Sequence, residues 1–334
     1  MIEHSIAQAH QAIWQKVVNA WQQQRLPHAL LLKGPAGMGK GLFAQRLAAL
    51  LLCDQPHSNG EPCQHCKPCH LVKTRQHPDF LWIQPAESGK QIQVDQIRQL
   101  IQFCTLTAYY DRYQIVIIEP AEAMNHNAAN SLLKLLEEPP AKTLLLLVSH
   151  VYRRLPATIR SRCQILDFSQ PDRHWVEQWL SQQVPPTTDI ALLLSLSDQA
   201  PLKALAEAQN LATRQTVFEG FKQLLTGQTD PLRIAETWSQ LEATQVLQWM
   251  LSWTMDLIRY ALSGQSRHLI NRDYQNVLQQ LTPRFNLSDL FKILDLQREI
   301  YQLVHSTANI KTQGLLEDLA ITWFEFNTQR RTLR

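Results

Sequence analysis

Residues 34–41 read Gly34-Pro35-Ala36-Gly37-Met38-Gly39-Lys40-Gly41. The phosphate-binding-loop pattern is G-x-x-x-x-G-K-[ST], and this stretch meets it at every position but the last. Gly34, Gly37 and Gly39 allow backbone N–H groups to wrap an anion, and Lys40 can reach a β- or γ-phosphate oxygen. Gly41 stands where the pattern has a hydroxyl residue, so the side-chain oxygen that would hold Mg²⁺ is missing. A glycine-rich turn between strand and helix, with no ligand, would read the same over eight residues.

The flanking sequence supports the motif. Ala29–Leu32 is a short apolar run of strand type, and Leu42, Phe43, Leu47, Leu50 and Leu51 then recur at helical spacing. Further strands are expected at Phe80–Ile83, Gln114–Ile118, Leu144–Val148 and Gln164–Phe168. Helices are expected near 8–24, 40–52, 93–105, 126–137 and 153–158. This alternation predicts a mostly parallel α/β sheet covered on both faces. Beyond Pro171 the strand patterns stop. The remainder reads as helices at 172–183, 189–196, 201–208, 214–226, 231–237, 243–262, 271–281, 287–306 and 313–327. The clearest periodicity runs through Val246, Met250, Trp253, Leu257, Ile258 and Ala261 and stops before Gly264.

Bulk properties set bounds. The chain has 334 residues, 45% hydrophobic and 18% charged, as expected of a globular protein of two or three domains. A net charge of +3 is too small to argue for nucleic acid by itself. Residues 1–21 lack a signal-peptide core, and Leu144–Val148 is far too short to span a bilayer. A cytoplasmic location with no membrane contact is expected, and its cysteines should be reduced.

Four of the six cysteines, Cys53, Cys63, Cys66 and Cys69, lie within 17 residues at C-x9-C-x2-C-x2-C spacing. Four thiolates suit tetrahedral Zn²⁺ and leave no open coordination position, so the expected role is structural. Pro56, Asn59, Gly60, Pro62 and Pro68 mark the segment as loop. His57, His65 and His70 are substitute ligands of poorer spacing, and unbound thiols are the plain alternative. Cys104 and Cys163 read as small buried residues.

A P-loop ATPase also needs an acidic pair after a second strand. Following Gln114–Ile118 comes Glu119-Pro120-Ala121-Glu122. Glu119 takes the first acidic position, but Pro120 takes the second and can neither accept a proton nor orient water. Glu122 lies three residues on, in an expected helical turn, too far along to replace it. Gly41 and Pro120 together damage the hydrolytic machinery twice. Nucleotide binding is expected to be weak or absent.

Asn130-Ser131-Leu132-Leu133-Lys134-Leu135-Leu136-Glu137-Glu138-Pro139-Pro140 and Thr158-Ile159-Arg160-Ser161-Arg162-Cys163 carry a resemblance. The first is similar to the segment after the second acidic motif in clamp-loader AAA+ ATPases, and the second resembles their Ser-Arg-Cys motif. A cysteine insertion after the P-loop helix is typical of bacterial members. The resemblance covers essentially the whole chain. It implies an α/β P-loop AAA+ domain over 1–170 with a zinc module near 53–69, a helical lid over 171–211 and an all-α collar over 212–334. It further implies a non-catalytic subunit of a bacterial DNA polymerase III holoenzyme. The expected partners are the ATPase subunits (gamma/tau) and the delta subunit, and through them the sliding clamp and primed DNA. Arg162 would be an arginine finger acting in trans on a neighbour's ATP; a surface arginine in a solvated turn is the alternative. Ser149 falls at a nucleotide-sensing position, or is simply a strand-end serine. Leu202, with Lys203 beside it, falls where active members have a γ-phosphate-contacting arginine. Glu137 and Glu138 end a helix against its dipole, which implies a basic partner.

Two other functions compete. An active ATPase motor of the same fold is opposed by Gly41, by Pro120 and by the lack of a long tail after residue 334. A zinc-dependent nucleic-acid-binding protein is opposed by the scarcity of positive charge near the cysteines, where only Lys67, Lys73 and Arg75 occur.

Overall fold

The computed structural model describes residues 7–87, 89–109, 112–304 and 311–328. The chain divides into two compact units. The first comprises 1–186 with 198–204, the second 187–197 with 205–334.

The first unit is built on a five-stranded parallel sheet of order β2-β3-β4-β1-β5. The strands are β1 (Ala29–Lys33), β2 (Phe80–Ile83), β3 (Gln114–Ile118), β4 (Thr143–Ser149) and β5 (Gln164–Asp167). β1 lies between β4 and β5, with Leu31 opposite Leu147 on one side and Ile165 on the other. Every residue of β3 and β4 is buried, which is why these strands read as unbroken apolar runs. Alternate side chains serve opposite faces. Leu30, Leu32, Ile117 and Leu146 pack with Trp14, Val17 and Phe43 from the helices Gln11–Gln22 and Lys40–Leu52. Leu31, Val116, Ile118 and Leu147 pack with Ile97, Leu100 and Leu132 from Val94–Thr105 and His126–Glu137. The Asn125 side chain starts the latter helix by accepting from Ala128 N at 2.8 Å.

The second unit is helical among its described residues. Its core gathers Phe218, Phe221, Trp238, Trp253 and Trp323. Helix Ala243–Ser263 buries Val246, Met250, Trp253 and Leu257, as its periodicity predicts, and ends on Gly264 in the left-handed region at φ 63°. Asp256, fully buried in this helix, accepts from Asn271 N and Asn271 Nδ2, both at 2.8 Å, and pairs with Arg259.

Several expectations are corrected. The helices expected at 201–208 and 214–226 are one, Pro201–Thr226. Asn210, a weak helix former, is accommodated by donating from Nδ2 to Ala206 O at 3.0 Å. The cysteine segment is not all loop, because Lys67–Lys73 is helical. Pro68 sits at the helix start, where its missing N–H is harmless. The helix expected at 153–158 resolves into a 3₁₀ turn, Tyr152–Arg154, and a short helix, Ala157–Arg160, because Pro156 disfavours helical backbone at Leu155. The helix expected from 271 begins at Gln275, after a 3₁₀ turn over Arg272–Tyr274. The last residues of the helix expected at 287–306, 305 and 306, lie outside the described residues. Among the described residues no helix is long and apolar enough to cross a membrane.

Candidate functional site

Parallel α/β sheets bind ligands beyond the carboxyl ends of their strands. At that edge the loop after β1 takes the expected glycine geometry. Gly37 and Gly39 have φ of 84° and 79°, and Gly39 caps helix Lys40–Leu52. A Cβ on Gly34 would stand 3.0 Å from the backbone carbon of Phe168, so the loop and the end of β5 approach too closely for a side chain.

The groups that would meet a phosphate are otherwise engaged. Lys40 is 2% exposed, and its Nζ donates to the carbonyls of Gly34 at 2.7 Å and Pro35 at 2.6 Å. Burial lowers its pKa to about 8, against the opposing pull of the Glu119 and Glu122 carboxylates. Burial likewise raises the pKa of Glu119, against the pull of Lys40 and Arg75. A Cβ on Gly41 would lie 2.6 Å from Glu119 Oε2 and 2.7 Å from Oε1. The carboxylate, the end of a flexible side chain, therefore rests against Gly41 and would have to move for a serine or threonine there. Leu202 N donates to Gly37 O at 3.0 Å, and the backbone N of Lys203 would lie 3.0 Å from a Cβ on Gly37. The loop lines a cleft of about 230 Å³, and Glu119 and His150 also line a second one of about 810 Å³ beside Pro120 and Glu122.

His150 and the Arg75–Trp82 pair at this edge escape sequence reasoning. His150 lines the smaller cleft together with Trp82 and Arg75, and the Arg75 guanidinium lies 3.8 Å from the Trp82 ring centroid. The position of His150, one residue past a parallel strand, is the signal that could have found it. Glu122 occupies the 3₁₀ turn Ala121–Ala123. Its Oε1 accepts from His150 N at 2.8 Å and Val151 N at 2.9 Å, tying the end of β3 to the end of β4. Ser149 is fully buried, and its Oγ has no hydrogen-bond partner among the described residues.

The Sγ atoms of Cys53, Cys63, Cys66 and Cys69 all lie within 4.8 Å of one another, and none of the four is in a disulfide. The Cys53–Cys66 and Cys63–Cys69 separations are 3.9 and 4.0 Å. Sulfurs at the corners of a tetrahedral zinc site, each about 2.3 Å from the metal, stand about 3.8 Å apart. Backbone N–H groups of Cys63 and Cys66 point at the sulfurs of Cys53 and Cys63, at 3.3 and 3.4 Å. The donor set fits zinc, and His57, His65 and His70 are not part of it. The module is fastened from outside. Arg46 pairs with Glu61 while its guanidinium lies 4.0 Å from the Trp14 ring centroid. Arg112 donates to Leu52 O at 3.0 Å and also to Cys53 O.

Arg162 follows the short helix Ala157–Arg160 and keeps 35% of its side chain exposed. Its Nη2 donates to Glu137 Oε1 at 2.5 Å and its Nη1 to Thr158 O at 3.0 Å. Glu137 thus has the basic partner its helix-end position implies. Neighbouring Arg160 instead lies over the Tyr152 ring at 4.8 Å. Burial pushes the Cys163 thiol up to about 12, leaving it unreactive.

A parallel sheet of this order, with a phosphate loop after β1, an acidic residue after β3 and a four-cysteine insertion, defines an AAA+-like module followed by helical domains. Family models described as "DNA polymerase III, delta subunit" and "DNA polymerase III, delta subunit, C terminal" match residues 9–172 and 208–325. The chain is 38% identical to the DNA polymerase III subunit delta' of Pseudomonas aeruginosa, over 94% of its length and 95% of the relative's. It is 29% identical to that of Escherichia coli, over 92% of each. The subunit tau of Bacillus subtilis is 31% identical over 50% of this chain and 29% of its own. The chain belongs to the delta' family of DNA polymerase III clamp-loader subunits.

Proposed function

We propose that this chain is the subunit of a clamp loader that neither binds ATP productively nor hydrolyses it, and that completes a neighbour's ATP site with Arg162. The observation that carries the first half is the Glu119 carboxylate resting against Gly41, where a P-loop has its hydroxyl, beside a Lys40 committed to its own loop carbonyls. With Gly41 in place of the hydroxyl and Pro120 in place of a water-orienting acid, the site lacks one Mg²⁺ ligand and the group that would orient water. Arg162 needs no nucleotide of its own. A guanidinium supplied in trans stabilises charge on a transferring phosphoryl group by electrostatics alone.

The partners in this reading are the gamma/tau ATPases and the delta subunit, with the sliding clamp and primed DNA reached through the complex. Residues 171–211 serve as lid and 212–334 as collar, and the cytoplasm is the site of action. A zinc ion held by the four cysteines orders residues 53–69 and takes no part in the chemistry.

The test is ATP binding and hydrolysis by the chain alone, then by the reconstituted complex with and without Arg162→Ala. The isolated chain should show no turnover. In the complex, Arg162→Ala should slow hydrolysis while the variant remains folded. Turnover by the isolated chain at about 1 s⁻¹ or faster would favour a motor subunit. Normal hydrolysis by the variant complex would remove Arg162 from the mechanism.

A further inference from the structure

We propose that Glu137 is the positioning residue for Arg162, holding its guanidinium ready for a phosphate group carried by an adjoining chain. The proposal rests on the reading of Arg162 as a group supplied in trans.

The grip comes from two elements of the fold. Glu137 is the last residue of helix His126–Glu137 and takes Nη2, while Thr158 O takes Nη1. An arginine side chain loses substantial rotamer entropy when it is fixed in one place. Fixed at two nitrogens, Arg162 surrenders much of that before a partner arrives. A guanidinium has five N–H donors. Nη1 also lies 3.5 Å from Ser161 Oγ, so these contacts leave Nε–H and the second hydrogen of Nη2 for an anion.

The placement of Glu137 needs such an explanation. A carboxylate at a helix C-terminus opposes the dipole, so helix stability alone would select another residue there. Nor does the ion pair serve mainly to hold the fold. Glu137 is 50% exposed and Arg162 35%, and pairs this wet contribute little to stability. Its consequence is directional: it fixes where the charge points. The strand β4 and the short helix Ala157–Arg160 separate the two residues in sequence, so the pair also references Arg162 to the sheet rather than to its own loop.

The experiment uses the reconstituted clamp-loader complex and single-turnover ATP hydrolysis, with binding of a fluorescent ATP analogue and complex assembly measured in parallel. Arg162→Ala should slow the phase that belongs to the site bordering this chain. Glu137→Ala should slow the same phase roughly tenfold, less than the roughly hundredfold that a full ångström of misplacement can cost, with analogue affinity and assembly unchanged. Glu137→Gln, which keeps the acceptor oxygen, should recover most of the rate. In the Arg162→Ala background, Glu137→Ala should change nothing further, because a positioning residue acts through what it positions. If Arg162→Ala has no effect, the trans-arginine reading fails and this one with it. If Arg162→Ala slows hydrolysis but Glu137→Ala leaves it unchanged, raises it, or slows it equally in the Arg162→Ala background, the positioning role alone is overturned.

Discussion

The ammonium of Lys40 lies 2.6 Å from the carbonyl oxygen of Pro35, five residues back along the same loop. In this chain the phosphate loop is a ligand for its own lysine. A charge buried in that way has a measurable pH signature. The pKa of Lys40 is lowered by burial to about 8 from an ordinary 10.5. Below pH 8 both folded and unfolded chains carry the proton, and the folded chain bears the full cost of the buried charge. Between about pH 8 and 10.5 the folded chain has lost the proton while the unfolded chain keeps it, so stability rises with pH across that window. Lys40→Met removes the charge throughout. Its stability advantage over the wild type should therefore narrow from pH 7 to pH 10, by up to about 3 kcal/mol. Methionine forfeits the two carbonyl bonds at every pH, so the narrowing is the quantity to read from denaturant titrations.

Restoring the missing hydroxyl should displace Glu119 at small cost. Gly41→Ser places Cβ 2.6 Å from Glu119 Oε2, and this carboxylate ends a flexible, partly exposed side chain beside a cleft, so it can swing aside. The change should cost less than about 1 kcal/mol in denaturant unfolding, below the range of overpacking in a rigid core. A loss of about 3 kcal/mol would show instead that the carboxylate is held in place.

Metal analysis should find one zinc per chain, and none after Cys63→Ser and Cys66→Ser together. Chelation should expose residues 53–66 to proteolysis and to hydrogen exchange. The sheet should keep its protection, because its core is made by other residues. Loss of sheet protection on chelation would show that the metal organises more than its own loop.

Gly60 is a separate fastening of the same module. Its φ is 78°, and a Cβ there would meet Val18 Cγ1 at 2.4 Å. Gly60→Ala should destabilise by about 1–3 kcal/mol through strain and overlap together. Adding Val18→Ala relieves the overlap alone, so recovery measured by thermal unfolding should be partial.

Much of this architecture is legible in the amino-acid order. β2 and β3 match their apolar runs residue for residue, β1 and β5 differ by one residue at one end, and β4 is longer by one residue at each end. Strands buried on both faces cannot hide in a sequence. The cysteine cluster is legible because consecutive metal ligands have few workable spacings. The ranges 201–208 and 214–226 read as two helices and form one, Pro201–Thr226, because propensity is a weak prior and Asn210 within the gap bonds back to Ala206 O. The occupied site was illegible for another reason. Gly41 and Glu119 are 78 positions apart, and nothing local shows that the carboxylate of one rests against the other. The Glu137–Arg162 pair was half legible: the helix dipole calls for a cation, but only the fold says which.

Glu119 also sets an order among the changes that would rebuild this site. A serine or threonine at 41 needs the carboxylate to move first, and that same carboxylate offsets part of what burial takes from the Lys40 charge. Positions 40, 41 and 119 are therefore one coupled group, and a substitution at any of them is read correctly only against the other two.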